Sequence, residues 1–301
     1  MKRVVVFLFT AVFIQAVTFC QAPPEIPIAL KHDKTMVTLA IDGVTIPDMI
    51  LDTGFSYDGI LIYNPEIRDK LDLRGTANAR IGGAGSGKDS EALVKMSSDV
   101  KAGGVKLPEQ MVIIITGDDF KGFPSSGAIG YSLFGHFVTE IDYDKSVLVL
   151  HEPGFKPDAS WTELPIYFKD NMVPWIDVQV AVGKDKPVKL SAYVDLAAST
   201  PIVLIEKKEM KFKPPEKTKE TVLGRGLSGD VRAKTCQIKT LIIGPYELTN
   251  VDAAIAPQSH SKQKGADAVL GCGAMRHFNF ILDYQNRKIY LKPNKKFGHV
   301  S

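Results

Sequence analysis

Cysteine is scarce in this chain. It has 3 among 301 residues, and Cys20 falls in an N-terminal apolar segment, which leaves Cys236 and Cys272 for the folded part. Two cysteines are too few for a disulfide scaffold; in an oxidising compartment they either pair with each other or stay free. Metal-ligand spacing is missing as well. No CxxC, HxxxH or HExxH occurs and the 6 histidines are scattered, so nothing supports a protein-bound zinc site, and no cofactor is implied. Charge of one sign is also short. The 37 Lys and Arg against 34 Asp and Glu give +3, and losing Lys2 and Arg3 with a leader leaves +1. That balance carries no electrostatic signal for nucleic acid or an anionic membrane as partner. Gly85-x-Gly87-Lys88 is not a phosphate loop, because the first glycine is wrongly spaced and Asp89 follows the lysine. Beyond residue 22 no apolar run approaches the ~18 residues of a membrane helix.

What is present begins with a leader. Lys2-Arg3 precedes an apolar run from Val4 to Phe19, broken only by Thr10, Gln15 and Thr18, and Cys20-Gln21-Ala22 leads into Pro23-Pro24. Charge, apolar core and small residues form the secretory pattern. Residues 1–22 are therefore expected to be a signal peptide, and the protein to be exported to the periplasm or outside the cell. A membrane anchor is the competing reading. Lipoprotein anchoring at Cys20 is a weaker one, because Val17-Thr18-Phe19-Cys20 matches a lipobox poorly.

The remainder reads as all-β. Met36–Ile41, Val112–Ile115, Val147–Leu150, Trp175–Val182, Thr240–Ile243 and Lys288–Leu291 are short, β-branched and apolar, with Gly, Pro, Asn and Asp between them. Helical signals are brief, at Asn64–Leu71, Leu133–Phe137 and Ala274–Phe278. The pattern also occurs twice. Ile50-Leu51-Asp52-Thr53-Gly54-Phe55-Ser56 aligns with Tyr193-Val194-Asp195-Leu196-Ala197-Ala198-Ser199. Gly127-Ala128-Ile129-Gly130-Tyr131 aligns with Ala268-Val269-Leu270-Gly271-Cys272. Phe137 to Asp144 aligns with Phe278 to Gln285. Asp52 precedes Asp142 by 90 positions and Asp195 precedes Asp283 by 88. A glycine-rich patch sits midway in each half, with Gly82, Gly83 and Gly85 in one and Gly224 and Gly226 in the other. Two copies of one β-rich unit follow, over residues 23–155 and 156–301, with His151–Pro165 as linker and Lys207–Glu220 as a solvated loop. Asp142 and Asp283, each at a strand end before Tyr, read as turn residues.

An apolar strand ending in Asp on a tight turn fixes a carboxylate at a cleft. Two such loops meeting on a twofold axis bring two carboxylates together, where they share one proton. The ionised member then takes a proton from water while the protonated member hydrogen-bonds a carbonyl.

On Asp52-Thr53-Gly54, Ala128-Ile129-Gly130 and Val269-Leu270-Gly271 the chain resembles the aspartic proteases over about residues 35 to 295. It is pepsin-like in having two lobes and retropepsin-like in their shortness, and its first copy closes with a pattern similar to bacterial proteins with tandem retropepsin-like repeats. The resemblance implies two pseudo-twofold-related acid-protease-like β-barrel lobes with a cleft between them, acting as a monomer on a peptide or unfolded protein. It implies Asp52 and Asp195 as the catalytic pair, Thr53 as a brace through its hydroxyl, and Gly54 as the residue that lets backbone approach the carboxylates. Ser56 and Ser199 are supporting candidates, and the glycine-rich patches are candidate flaps. The second motif departs from the family pattern: Leu196 stands for the bracing Thr and Ala197 for the turn Gly. An inactive peptide-binding relative is therefore the alternative to an active peptidase.

Overall fold

A computed structural model describes residues 22–183, 186–261 and 263–298. The expected signal peptide, residues 1–22, lies outside the described residues except for Ala22. The helical signals resolve into three single turns, Pro65–Arg68, Tyr131–Phe134 and Cys272–Met275. Strands make up nearly all of the remaining regular secondary structure.

A six-stranded antiparallel sheet lies where the two copies meet. In spatial order it runs Thr162–Pro165, Lys288–Pro293, Phe278–Asp283, Val138–Asp142, Val147–His151 and Glu25–Lys31. Its middle pair joins the closing strands of the two copies, with Thr139 opposite Leu282, Glu140 opposite Ile281 and Ile141 opposite Phe280. In the repeat alignment Glu140 corresponds to Ile281, and Thr139 and Ile141 correspond to Phe280 and Leu282. Exchanging the copies therefore maps this set of pairs onto itself, which is the signature of a local twofold axis.

The hairpins flanking the axis repeat in detail. Asp142 faces Val147 and accepts the Lys145 amide at 3.0 Å; Asp283 faces Lys288 and accepts the Asn286 amide at 3.0 Å. Ser146 and Arg287, at matching positions, adopt φ of 59° and 55°. Both aspartates are turn residues, as the sequence suggests. The linker reading needs correction, because Thr162–Pro165 pairs with Lys288–Pro293 and extends the sheet. Thr162 favours a strand, and Pro165 is tolerated because this strand lies at the sheet edge.

Each copy then builds the same core motif. Val44–Leu51 runs parallel to Gly127–Ile129, which pairs antiparallel with Gly59–Ile62. In the second copy Val188–Asp195 runs parallel to Ala268–Gly271, which pairs antiparallel with Ile202–Glu206. Where they cross the core these strands are apolar, at residues 49–51, 59–62 and 127–129 and at residues 192–194, 202–205 and 268–270, because both faces are covered there. Leu51, Ile60 and Ile129, and Val194, Ile202 and Leu270, are fully buried in one continuous core.

One open alternative is decided and one reading changes. Cys272 is a buried free thiol near the hydroxyls of Thr35 and Tyr143, and Cys236 is free on the strand Gly229–Ile243, so the two do not pair. The Lys-rich loop is not simply solvated. Lys207 and Lys211 both bind the carboxylate of Asp267, which is 4% exposed. A buried carboxylate needs such partners, and pairing holds its pKa below the ordinary range despite burial. Lys219 and Glu220, at the end of that segment, begin the strand Lys219–Gly226.

Candidate active site

Asp52 and Asp195 end equivalent central strands and face each other across the axis. Asp52 Oδ1 accepts the amides of Gly54 at 2.8 Å and Phe55 at 3.1 Å, and Asp195 Oδ1 accepts that of Ala197 at 2.9 Å. These bonds close a tight turn around each carboxylate. Their proximity shows at Gly54: a Cβ there would stand 3.1 Å from Asp195 Cγ and Oδ2 and 3.1 Å from Asp52 Oδ1. The glycine suits this position because the two carboxylates crowd the space a side chain would take.

Thr53 is buried, and its hydroxyl crosses between the loops. It donates to the Val194 carbonyl at 2.8 Å and accepts the Leu196 amide at 3.1 Å. Leu196 makes no reciprocal bond and is fully buried in the core. The brace is one-sided. Ala197, in the turn-glycine position, packs on the apolar cluster beneath the first-copy wall.

The apolar-apolar-Gly elements lie against these loops, and their glycines are sterically required. A Cβ at Gly130 would be 2.2 Å from the Phe55 carbonyl oxygen and 2.3 Å from that of Asp52. One at Gly271 would be 2.1 Å from the Thr200 carbonyl oxygen. The next amides then bond the loops, Tyr131 N to Phe55 O at 3.1 Å and Cys272 N to Ala198 O at 2.8 Å.

The glycine-rich patches are hairpin tips that meet above the carboxylates. Ala77–Ile81 pairs with Ser90–Ser98, and Lys219–Gly226 pairs with Gly229–Ile243. Ser228 N donates to Ala84 O at 3.0 Å, Gly83 N to Ser228 Oγ at 3.1 Å and Ser90 Oγ to Leu227 O at 2.8 Å. Gly85, at φ +107°, and Gly226 admit this approach, since a Cβ on either would strike the opposite backbone. Gly82 abuts Asp89 and Gly83 packs on Leu227, whereas Gly224 has open space around it. Both tips join the roof, although the Gly224 position does not require a glycine.

Beneath this roof lies a cavity of about 620 Å³ that contains both aspartates. Its first-copy wall is largely aromatic, with Phe55, Leu61, Tyr63, Phe120 and Phe123; its second-copy wall is mixed, with Val203, Ile205 and Val269 beside the polar Asn171, Ser261 and Gln263. Ser56 lines it without a described side-chain hydrogen bond, while Ser199 binds Lys34 Nζ at 2.7 Å and donates to His32 O at 3.3 Å. Lys34 and Arg225 also line the cavity. Tyr63, Phe120, Phe123 and Lys34 escaped the sequence reading because they lie outside the repeated motifs.

Burial raises the pKa of Asp52 well above the carboxylate range, and repulsion from Asp195 adds to the shift. Burial likewise raises Asp195. The donated amides and the Lys34 charge oppose the shift at both without cancelling it. The pair thus retains a proton at a pH where isolated aspartates are ionised.

No protein-family model matches the chain, and no curated protein matches it in sequence. Among solved structures, the aspartic proteinase from Irpex lacteus is similar at a TM-score of 0.61, over 93% of this chain and 100% of that one, with 14% identity. The fold is pepsin-like. Two acid-protease-like β lobes flank one cleft, as the repeat implied, and at this identity the likeness speaks for the fold alone.

Proposed function

We propose that the protein is an aspartic endopeptidase that hydrolyses peptide bonds with water activated by Asp52 and Asp195. The observation that carries the reading is Gly54, whose missing side chain leaves both carboxylates in contact distance of one point. In this mechanism the pair holds one proton. The ionised carboxylate takes a proton from water as its oxygen attacks the peptide carbonyl carbon, and the protonated carboxylate donates to the carbonyl oxygen. The C–N bond then breaks as the nitrogen receives a proton and leaves as the amine. Neither step needs a metal or a covalent enzyme intermediate.

The roofed cavity suits an extended segment of peptide or unfolded protein. The hairpin tips must part to admit it, since backbone bonds join them over the carboxylates. With residues 1–22 removed, the peptidase would act after export as a monomer, its halves 23–155 and 156–301 each supplying one aspartate, in the manner of tandem retropepsin-like repeats. The one-sided brace favours a second reading, a relative that binds peptides without cutting them. Incubation of the purified chain with a peptide library from about pH 3 to about pH 8, with and without a statine-type transition-state mimic, separates the two. Cleavage blocked by the mimic supports the peptidase; peptides bound and recovered intact support the binder; neither outcome overturns both.

A further inference from the structure

Lys34 begins the strand Lys34–Ile41 and sends its amine into the cleft that holds Asp52 and Asp195. The ammonium is half-buried, so it has lost part of its hydration and needs hydrogen-bond acceptors. It has three donors. Among the described residues its one side-chain partner is the neutral hydroxyl of Ser199, at 2.7 Å, and it forms no ion pair. That hydroxyl donates to the His32 carbonyl at 3.3 Å, which turns its lone pairs toward Lys34. Asp33, next in sequence, is taken by Arg276. Asp52 and Asp195 act on Lys34 through their charge but not through an ion-pair contact.

The other cation of the cleft behaves differently. Arg225 is neutralised by Asp119 at 3.3 Å and Asp230 at 3.7 Å. Lys34 is thus a positioned charge in the cleft with donors to spare. Burial lowers its pKa from the ordinary lysine value, while the nearby carboxylates oppose that shift. An incoming carboxylate would supply the missing acceptor and form charge-assisted bonds in a partly desolvated site.

We infer that Lys34, held by Ser199, is a carboxylate-recognition point of the cleft, which selects peptides carrying an anionic group close to the bond that meets Asp52 and Asp195. The inference rests on the peptide reading above. Its chemistry admits two sources, an Asp or Glu side chain and a peptide C-terminal carboxylate. Lys34 acts by binding and takes no part in proton transfer.

The test uses a cleavable peptide in which Glu or Gln is placed at each position in turn, made with a free and with an amidated C-terminus. It compares kcat/KM for the wild type, Lys34→Met, Lys34→Arg and Ser199→Ala. The same peptides with a reduced, uncleavable central bond are titrated calorimetrically against each protein, and circular dichroism verifies folding. At one position the wild type should favour Glu over Gln by roughly tenfold or more. Lys34→Met should bring that ratio near one, and Lys34→Arg, which keeps the charge, should retain most of it. Ser199→Ala should reduce it partially. A preference that follows the free C-terminus instead assigns the site to a chain end and supports the inference in that form. An unchanged ratio in Lys34→Met overturns the inference, even if its pH profile moves, since Lys34 would then act only through its field on the aspartates. A Lys34-dependent Glu preference in calorimetry without cleavage upholds the inference and overturns the peptidase reading. Absence of both binding and cleavage overturns both.

Discussion

The two aspartate loops are the same backbone with different side chains. Each carboxylate accepts the amide two residues on, at 2.8 Å from Gly54 and 2.9 Å from Ala197, and each loop is bonded by the amide that follows an apolar-apolar-Gly element. Only the first loop keeps the hydroxyl brace. What Thr53 needs from the second loop is a carbonyl and an amide, from Val194 and Leu196. Any residue supplies these, so replacing Thr by Leu at 196 leaves the bonds of Thr53 intact. It removes only the reciprocal pair. Changing the acceptor side of a symmetric brace is therefore tolerated where changing the donor side would not be.

The largest break of this comparison is removal of either carboxylate. Asp52→Asn and Asp195→Asn should each lower kcat by roughly 10²–10⁴-fold, because in the proposed mechanism each aspartate has half of the acid–base task. Peptide turnover by the two variants checks it. A loss confined to Asp52→Asn would mean that the second loop has dropped out of the chemistry.

The glycine position comes next. Gly54→Ala places a methyl 3.1 Å from atoms of both carboxylates, and displacing them should cost about 10²-fold in kcat/KM. Ala197→Gly, the reverse change in the second copy, should alter turnover by less than about threefold, since its amide bond to Asp195 remains. Equal losses at both positions would refute the asymmetry.

The braces are tested through stability. Thr53→Val keeps the volume but leaves the Val194 carbonyl and Leu196 amide without partners, so it should destabilise by about 2–4 kcal/mol. Leu196→Thr loses apolar packing and gains a hydroxyl able to reach the first loop, so it should cost less than Thr53→Val. Chemical denaturation of both measures the order.

The smallest effect is the pH dependence of stability. Both aspartates have folded-state pKa values raised above their unfolded values, mainly by burial. Their contribution is complete below the ordinary carboxylate pKa and is lost as pH rises through the raised values. Asp195→Asn removes the repulsion on Asp52. Its melting temperature relative to wild type should therefore climb between about pH 4 and about pH 8, by at least about 2 °C for a chain of this size. A flat difference would show that the carboxylates do not share a proton.

Much of this was legible in the sequence because repetition supplied its own control. The matched blocks around Asp52 and Asp195, Gly130 and Gly271, and Asp142 and Asp283 are the positions where backbone geometry restricts the side chain, so both copies show them. The Thr53 brace was legible only through the family resemblance, because the second copy carries Leu196 at that position. The cavity walls were not, since Tyr63, Phe120, Asn171 and Gln263 meet only through tertiary packing and have no counterpart to be compared with. Lys34 carried no signal, because a lysine opening a strand looks like a solvated one until its neighbours are known. The loop at Lys207 misled for a related reason: its lysines are balanced by Asp267, some 60 positions away.

The central strand pair at Glu140 and Ile281 has a consequence for concentration. Half a chain would carry a penultimate strand whose open edge fits a second copy of itself, and its assembly would depend on dilution by mass action. Joining the halves makes that encounter intramolecular, with an effective local concentration in the millimolar range for short connections. Assembly then no longer depends on how much protein is present. Covalent linkage also frees the copies from sharing one sequence, since a self-associating half must serve both sides of the axis at once. Leu196 in the place of Thr53, and a mixed wall opposite an aromatic one, are differences that only a linked pair can hold.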